Sequence, residues 1–342
     1  MKSKRVLLSA GMVLFGLLMI CTHGLGASPE HKKGYIWASN PSGGAIYITT
    51  GALATVTTEA TGIKSFVQTE INLDVTQMAI SEGKADFGQS GFPRIVRGYD
   101  GTFAPYKNKG PTKNIRMVLF GPMTKTPWFS MKRHANITSW EQMKGKKIMG
   151  GVTDMYLKFA EATMKHHNVL AQVKELRMGV GNDDFTRSTI EGKVDVSFGW
   201  TGTLMYDFQF AGGYNVVEQP KDEVDLIVSQ YDQKGWVGTM VRKGDFGAPQ
   251  DYHTAAVPVA LLAGVHVPKD IVYQVLKAIM ANKEKLTKIH VEACYYDKED
   301  ALIGLGSPIH PGAKQYYLEQ GMWTSALEAE NQKLFSMYGF KE

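Results

Sequence analysis

The sequence predicts an α/β fold built from two similar lobes, and three observations support this prediction. The chain has 342 residues, which is about two domains at the usual ~100–200 residues per domain. Short apolar segments alternate with longer amphipathic ones, as expected where strands and helices follow one another along the chain. The segment Glu82–Gly88 also recurs as Glu191–Ser197, 109 residues later.

The repeated segment has the same physical pattern in both copies. A helix ends at Gly83 in the first copy and at Gly192 in the second, because glycine tolerates the left-handed backbone that closes a helix, and a short strand follows. Two such units, a domain length apart, indicate two related lobes. The alternative is that Gly-Lys-x-Asp is a common helix-to-strand connection that arose twice by chance.

The pattern of apolar residues predicts the elements of the first lobe in order. They are a strand over Ile36–Ser39, a helix over Tyr47–Ala60 that ends at Gly62, a strand over Ile63–Thr69, a helix with apolar Val75, Met78 and Ala79, a strand over Ala85–Gly88, and a strand over Ile115–Phe120.

The second lobe is predicted to begin near Thr126–Met131, where prolines interrupt the pattern. Its elements are a strand over Lys146–Met149, a helix over Asp154–His167, a helix from Phe185 to Ile190, and a strand over Val194–Phe198. The chain is expected to return near Asp251–Pro258 into a strand over Val257–Ala263 and a helix that starts at Pro268 and buries Ile271, Val275, Ile279 and Leu286. These predictions assign residues 27–127 and 251–342 to lobe I, and residues 128–250 to lobe II.

Residues 1–26 have the pattern of a cleaved secretory signal peptide. Lys2, Lys4 and Arg5 precede an apolar run from Val6 to Ile20, and cleavage after Gly26 places small residues at both required positions. We therefore expect the mature protein to be periplasmic. A lipid anchor on Cys21 is the alternative, although Ile20 stands where a small residue usually precedes such a cysteine.

The charge balance argues against nucleic acid as a partner. The full chain has 38 Lys and Arg against 33 Asp and Glu, but the signal peptide contains three of the positive charges and none of the negative ones. The mature chain therefore has 35 basic and 33 acidic residues, a net charge of only +2, which gives a polyanion little to bind.

Motifs for catalysis, metals and cofactors are absent from the sequence. It contains no Gly-x-Ser-x-Gly elbow, no phosphate-binding P-loop and no His-Glu-x-x-His pair. His166 and His167 are adjacent, so their side chains diverge on a helix and do not form a metal-binding pair. We expect no cofactor, no metal and no enzymatic activity. A secreted hydrolase using an acid pair such as Asp154 and Asp183 is the weakest alternative.

Four segments, in order along the chain, resemble one protein family. They are Ser39–Tyr47 with its glycine-containing loop, Gly83–Ser90 with its Gln-Ser pair, Phe198–Gly202 with its aromatic and glycine turn, and Leu305–Tyr317 with a His-Pro-Gly-Ala sequence and a Tyr pair. Together they resemble TAXI-type solute-binding proteins, the soluble receptors of tripartite ATP-independent periplasmic (TRAP) transporters. The resemblance extends from about Tyr35 to Trp323.

The resemblance implies a type II periplasmic binding protein fold, in which two α/β lobes close on a small molecule. It implies a ligand that is a small organic acid, such as a dicarboxylate, or an amino acid, and TRAP membrane permease subunits as partners. We expect a monomer. A secreted sensor that presents its ligand to a signalling protein on the same scaffold is the alternative.

Ligand-binding residues are expected at the carboxyl ends of the strands, where loops enter helix N-termini and backbone N–H groups favour an anion. In lobe I these are Ser39, Asn40, Ser42, Gly43, Gly44 and Tyr47 after the first strand, and Gln89 and Ser90 after Ala85–Gly88. The alternative is that Ser42 caps its helix, the glycines only form a turn, and Tyr47 belongs to the core.

Lobe II is expected to contribute Asp154 and the turn of Trp200, Thr201 and Gly202. Thr153–Tyr156 replaces the Gly-Ser-Gly-Thr turn that the family usually has, so a carboxylate stands where donors are expected. If Asp154 faces the cleft it would favour an amine, hydroxyl or amide over a dianionic acid; the alternative is a helix cap. Trp200 could instead be a structural residue of the interlobe wall.

Overall fold

The computed structural model describes residues 32–40, 42, 45–70, 72–101, 110–199, 203–231, 235–298, 301–302 and 305–340, with only the backbone at positions 122 and 203. The predicted signal peptide and Cys21 lie outside the described residues. None of the helices in these ranges combines the length and apolar character needed to cross a bilayer.

The chain alternates between strands and helices over most of its length. The strands are β1 (Tyr35–Ser39), β2 (Ser65–Thr69), β3 (Phe87–Gly91), β4 (Ile115–Lys125), β5 (Trp128–Met131), β6 (Lys147–Gly150), β7 (Glu175–Arg177), β8 (Val196–Phe198), β9 (Tyr214–Val216), β10 (Val237–Val241) and β11 (Tyr252–Gly264). The helices are α1 (Ala45–Thr61), α2 (Leu73–Ser81), α3 (Phe92–Asp100), α4 (Asp154–His166), α5 (Gly181–Ile190), α6 (Thr203–Phe210), α7 (Lys221–Gln230), α8 (Lys269–Ala281), α9 (Lys283–Ile289), α10 (Pro311–Glu319) and α11 (Ser325–Tyr338).

The first sheet has the order β10-β11-β3-β1-β2, and β4 also pairs with β11. β1 is parallel to β2 and β3, whereas β11 is antiparallel to β3, β4 and β10. Its core is apolar and aromatic: Trp37 of β1 stacks on Phe87 of β3 with ring centroids 4.7 Å apart, and both side chains are fully buried. α1 and α8 pack against each other beside this sheet.

The second sheet has the order β7-β6-β8-β5-β9. β6 is parallel to β7 and β8, while β5 is antiparallel to β8 and β9. Phe159 of α4 stacks on Phe198 of β8 at 5.8 Å, so this sheet has a core of its own. The two mixed sheets with interleaved helices confirm the predicted α/β fold of two lobes.

The strands β4 and β11 run beside each other from the Gly264–Ile115 pair to the Ala256–Lys125 pair. β4 ends at Lys125 and β5 begins the second sheet at Trp128, so the chain changes sheet within this short interval. On the way back, β10 already pairs with β11 in the first sheet. The chain thus rejoins the first sheet at β10, before the return predicted near residue 251. The division into lobes at residues 128 and 250 remains a prediction.

The Leu305–Tyr317 segment forms the start of α10. His310 caps this helix, since its Nδ1 accepts a hydrogen bond from the N–H of Gly312 at 3.1 Å. Burial lowers the pKa of His310 to about 4, so the ring is neutral and able to accept. His310 therefore has a structural role as the cap of α10.

Candidate functional site

The carboxyl ends of the parallel strands meet helix N-termini in both lobes. In the first lobe α1 follows β1 and α3 follows β3, and the parallel pairing of β1 and β3 places both helix starts at one edge of the sheet. In the second lobe α4 follows β6 in the same way. Helix N-termini present unpaired N–H groups and a partial positive charge, so such edges suit an anionic group.

Ser39 and Asn40 lie at the end of β1. Ser39 is buried, and its hydroxyl donates to Thr50 Oγ1 at 3.2 Å, which ties the end of the strand to the first turns of α1. Asn40 and Tyr47 are half-buried, and Ser42 is an exposed turn residue. Gly43 and Gly44 lie outside the described residues.

The positions of Gln89 and Ser90 differ from the prediction. We expected the strand to end at Gly88 with both side chains just beyond it, but β3 extends from Phe87 to Gly91 and contains both residues. Both are fully buried. Ser90 donates to Gln77 Oε1 at 3.3 Å, so its hydroxyl is used within the protein.

Gln89 is the centre of a buried hydrogen-bond network. Its amide nitrogen donates to Thr50 Oγ1 at 2.8 Å and to Thr49 Oγ1 at 3.1 Å, both on α1. Its amide oxygen accepts from the Tyr296 hydroxyl at 2.7 Å. These bonds satisfy both ends of the amide, so Gln89 joins β3, α1 and the segment around Tyr296 into one rigid unit.

In the second lobe, Asp154 is the first residue of α4 and its side chain is 65% exposed. It forms an ion pair with Lys158 at 2.9 Å, one turn further along the helix. The preceding residue, Thr153, occupies the cap position, so the cap interpretation of Asp154 is wrong by one residue. Trp200, Thr201 and Gly202 lie outside the described residues, between the end of β8 and the start of α6.

Tyr156 is a further candidate for the cleft, although no sequence motif marks it as a ligand-binding residue. It is the third residue of α4, just as Tyr47 is the third residue of α1, and the two positions are 109 residues apart, the same offset as in the repeated segment. Its ring packs edge-on against Trp236 at 5.7 Å. Burial raises the pKa of the Tyr156 phenol to about 12, so it is a neutral donor at physiological pH.

Two charged residues act on the Tyr156 phenol from the first lobe. The positive charge of Arg94, the third residue of α3, and a hydrogen bond to Thr124 counteract the rise in its pKa, whereas the negative charge of Glu292 adds to it. Arg94 donates to Asp74 Oδ2 at 2.9 Å, and this ion pair is largely buried. No motif in the sequence marks Arg94 or Glu292; only the fold brings them near α4.

Trp236 connects the lobes by packing. Its ring stacks on Phe159 of α4 at 4.0 Å, while the adjacent Gly235 lies against the backbone of Phe92 and Pro93 at the start of α3. Gly235 has φ +103°, a left-handed backbone in which a side chain would also collide with Pro93. Trp236 is buried, which is typical of a packing residue.

Within the described ranges, no three His, Cys, Asp or Glu side chains are grouped closely enough to hold a metal ion. Asp154 and Asp183, suggested as an acid pair, are both exposed and begin different helices, α4 and α5. The groups that do converge, namely two helix N-termini, a phenol, a guanidinium and a carboxylate, are suited to reversible binding of a small polar molecule.

Two solved structures resemble this chain in their fold. One is a TctC solute-binding protein from Polaromonas, which is 11% identical, with a TM-score of 0.50 over 90% of this chain and 95% of that one. Another is PhnD1 from Prochlorococcus marinus in complex with methylphosphonate, which is 9% identical, with a TM-score of 0.51 over 85% of this chain and 99% of that one. At these identities the likeness establishes the fold, which is that of the periplasmic binding proteins.

A family model, that of the NMT1-like family, matches residues 38–321, which run from the last two residues of β1 to beyond the end of α10 and include every predicted ligand residue. The TctC protein is described as a solute-binding protein, and neither the family description nor that of the second structure names an enzymatic activity, which agrees with the expectation of a binding protein. Because the match covers most of its length, the chain belongs to the NMT1-like family.

Proposed function

We propose that this protein is the extracytoplasmic solute receptor of a TRAP transporter. In this role it binds a small organic acid or amino-acid-like ligand between its lobes and delivers it to the membrane permease. The observation that carries the proposal is the matched pair of helix starts: α1 and α4 each follow the first parallel strand of their lobe and each has a tyrosine, Tyr47 or Tyr156, as third residue.

The paired strands β4 and β11, which lie next to the points where the chain changes sheet, support a mechanism by which the two lobes close on a ligand. β4 and β11 are paired along most of their length, and Thr126 extends this pairing by donating its N–H and its hydroxyl to the carbonyl oxygen of Ala255 at 2.9 and 2.8 Å. A paired two-stranded connection bends as a unit, so the lobes can approach each other without either core repacking.

The proposed ligand contacts follow from this arrangement. Asn40 and Tyr47 contribute from the first lobe, together with Ser42 and the backbone of Gly43 and Gly44, and Trp200, Thr201 and Gly202 contribute from the second. Ser39, Gln89 and Ser90 act through their buried hydrogen bonds, which fix the ends of β1 and β3. Preorganised donors of this kind bind an anionic group at little entropic cost.

A thermal-shift screen of the chain from Ala27 onward tests ligand binding directly. At 100 times its Kd, a single-site ligand adds roughly 2.7 kcal/mol to the free energy of unfolding, which is several degrees of Tm for a protein of this size. Organic acids, amino acids and aromatic acids form the panel, and mass spectrometry of the purified protein identifies any ligand that remains bound. A product that accumulates without any melting shift would contradict the receptor function.

The transporter partner needs a separate test. Membrane subunits from neighbouring genes are reconstituted in proteoliposomes, and uptake of the identified ligand is measured with and without the receptor under an ion gradient. Uptake that requires both the receptor and the gradient supports the TRAP assignment. Binding without any receptor-dependent uptake would favour a sensor instead.

A further inference from the structure

The Glu292 carboxylate has an unusual environment. It lies in a short 3-10 turn, Val291–Tyr295, and is half-buried, so a small molecule can still reach it. Within the described ranges it takes part in no hydrogen bond and no ion pair. Desolvation raises the pKa of this carboxyl to about 7. A carboxylate held in this way without a partner is costly, and a cationic group placed beside it would remove the cost.

The backbone that holds Glu292 is rigid. Its N–H donates to Nδ1 of His290 at 3.3 Å, which caps the turn. The turn packs on β4, and four residues after Glu292 the Tyr296 hydroxyl donates to the buried amide of Gln89. The ring of Tyr296 lies directly over Gly121, where any Cβ would overlap it. The backbone from which the carboxylate extends is therefore fixed relative to β3 and β4.

Charges of both signs face the same phenol of the opposite lobe. Glu292 and Arg94 belong to different elements of the first lobe, and both influence Tyr156 at the start of α4. Arg94 donates through one nitrogen to Asp74, which leaves further donors of its guanidinium group for a second acceptor. The region between α3, α4 and the Val291–Tyr295 turn thus offers one anionic and one cationic partner.

We propose that Glu292 binds the ammonium group of a zwitterionic ligand of amino-acid type, whose carboxylate lies near Arg94 and the N-termini of α1 and α3. This inference rests on the proposed receptor function and specifies its ligand class. A dicarboxylate would bring a second negative charge towards Glu292, and the resulting repulsion selects against it. The hydroxyl of Tyr156, on which both charges act, then donates to the ligand.

Pairs of acids that differ only in the amino group test this proposal. The probes are L-glutamate with 2-oxoglutarate, L-leucine with 4-methyl-2-oxopentanoate, and L-phenylalanine with phenylpyruvate, followed by the remaining common amino acids. Binding is measured by isothermal titration on protein that has been unfolded and refolded to remove bound ligand. For the skeleton that fits the site, we expect the amino acid to bind at least about 10-fold more tightly than its oxo acid.

The variant Glu292→Gln has nearly the same shape but lacks the charge. We expect it to lose about 10-fold or more in affinity for the amino acid while its affinity for the oxo acid stays within about 2-fold. Glu292→Asp retains the charge with a shorter reach and should give an intermediate loss. Glu284→Gln, an exposed position on α9, is the matched control and should bind as the wild type does.

The possible failures are distinguishable. If no small solute of any class binds, both the receptor function and the ligand class are wrong. If a ligand without an amino group binds best and Glu292→Gln leaves its affinity unchanged, the receptor function stands and the role of Glu292 is overturned. If Glu292→Gln loses affinity equally for both members of a pair, the side chain acts on the shape of the site and not on the ammonium group, which also overturns the proposal.

Discussion

The carboxylate of Asp195 accepts a hydrogen bond from the backbone N–H of Lys147 at 2.8 Å. In the first lobe Asp86 accepts the same bond from the N–H of Ile36, also at 2.8 Å. Each aspartate follows a helix and the start of a loop, and each fixes the beginning of the neighbouring parallel strand. The repeated segment of the sequence therefore corresponds to one structural device that is used once in each lobe.

We predict that Asp195→Ala lowers the free energy of unfolding by about 1–3 kcal/mol, because the N–H of Lys147 loses its acceptor. Asp195→Asn retains a side-chain oxygen and should lose less. Urea unfolding followed by circular dichroism measures both effects.

Asp183→Ala is the control, since Asp183 is an exposed aspartate in the same lobe. It should change stability by less than about 0.5 kcal/mol. Equal losses for Asp195→Ala and Asp183→Ala would show that the bond to Lys147 contributes nothing specific.

Local signals of this kind explain why the fold could be predicted from the sequence. Gly83 and Gly192 end their helices with φ of +72° and +71°, the left-handed backbone that the repeated glycine implied. The helix predicted for Tyr47–Ala60 is observed as Ala45–Thr61 and is followed by Gly62 at φ +76°. Each of these features depends on residues within a few positions of one another.

The site was harder to predict because its contacts are distant in sequence. Gln89 resembled a loop residue beyond a strand, but its partner Tyr296 is 207 positions away, and that hydrogen bond allows a polar side chain to remain inside β3. Glu292 stands alone in a non-periodic segment, so no pattern distinguishes it from any surface glutamate. The sequence draws attention to Tyr156 only because Thr153–Tyr156 differs from the glycine-containing turn that the resembling family usually has at this place.

The buried position of Gln89 changes what its substitution should do. Gln89→Ala removes the amide oxygen that accepts from the Tyr296 hydroxyl and the amide nitrogen that donates to Thr49 and Thr50, so we predict a loss of about 1–3 kcal/mol in the free energy of unfolding as well as weaker ligand binding. Thermal melting and titration with the identified ligand are measured on the same preparation.

Gln68→Ala is a suitable control for Gln89→Ala, because Gln68 is an exposed residue of β2 whose side chain bonds only to the carboxylate of the half-buried Glu70 within the described residues. It should leave both quantities nearly unchanged. A Gln89→Ala protein with wild-type stability and reduced affinity would instead indicate that Gln89 contacts the ligand directly.

The stability of the ligand-free protein should depend on pH through Glu292. Its pKa in the folded state, about 7, lies above its ordinary value of 4.5, so the folded state holds the proton more tightly than the unfolded state. The folded state therefore loses stability as the pH rises from about 4.5 to 7, by at most about 3.4 kcal/mol at 1.36 kcal/mol per pH unit. Glu292→Gln removes this dependence.

The measurement compares urea unfolding of the wild type and Glu292→Gln between pH 4.5 and 8. The gap between the two proteins should grow in favour of the variant as the pH rises. His290, whose pKa is lowered by burial, titrates in both proteins and cancels in the difference. Parallel stability curves would show that Glu292 is fully solvated in the folded protein.

For Asp154 we predict a small effect. Its side chain is exposed and paired only with Lys158 within the described residues, and surface pairs of this kind contribute about 0–1 kcal/mol. Asp154→Asn should therefore change stability by less than about 0.5 kcal/mol and ligand affinity by less than about 2-fold. A 10-fold change in the Kd of an amine-containing ligand would place Asp154 in the cleft and support its predicted role in ligand binding.

Gly121 on β4 provides a test of the rigid support for Glu292. A Cβ at this position would overlap the buried ring of Tyr296, which must then move and lose its bond to Gln89. We predict that Gly121→Ala costs about 1–3 kcal/mol of stability, as overpacked cores do, and weakens ligand binding because the Val291–Tyr295 turn shifts with Tyr296.

Gly51→Ala is the matched control for Gly121→Ala. Gly51 lies within α1, where an added Cβ would meet no other atom within 4 Å, so alanine should be neutral or stabilise the helix by about 0.5–1 kcal/mol. In a double-mutant cycle, Tyr296→Leu vacates the space that the new Cβ requires, so the losses from Gly121→Ala and Tyr296→Leu should be less than additive. Strict additivity would mean that the two residues do not press on each other, and the turn that carries Glu292 would then have to be held by other contacts.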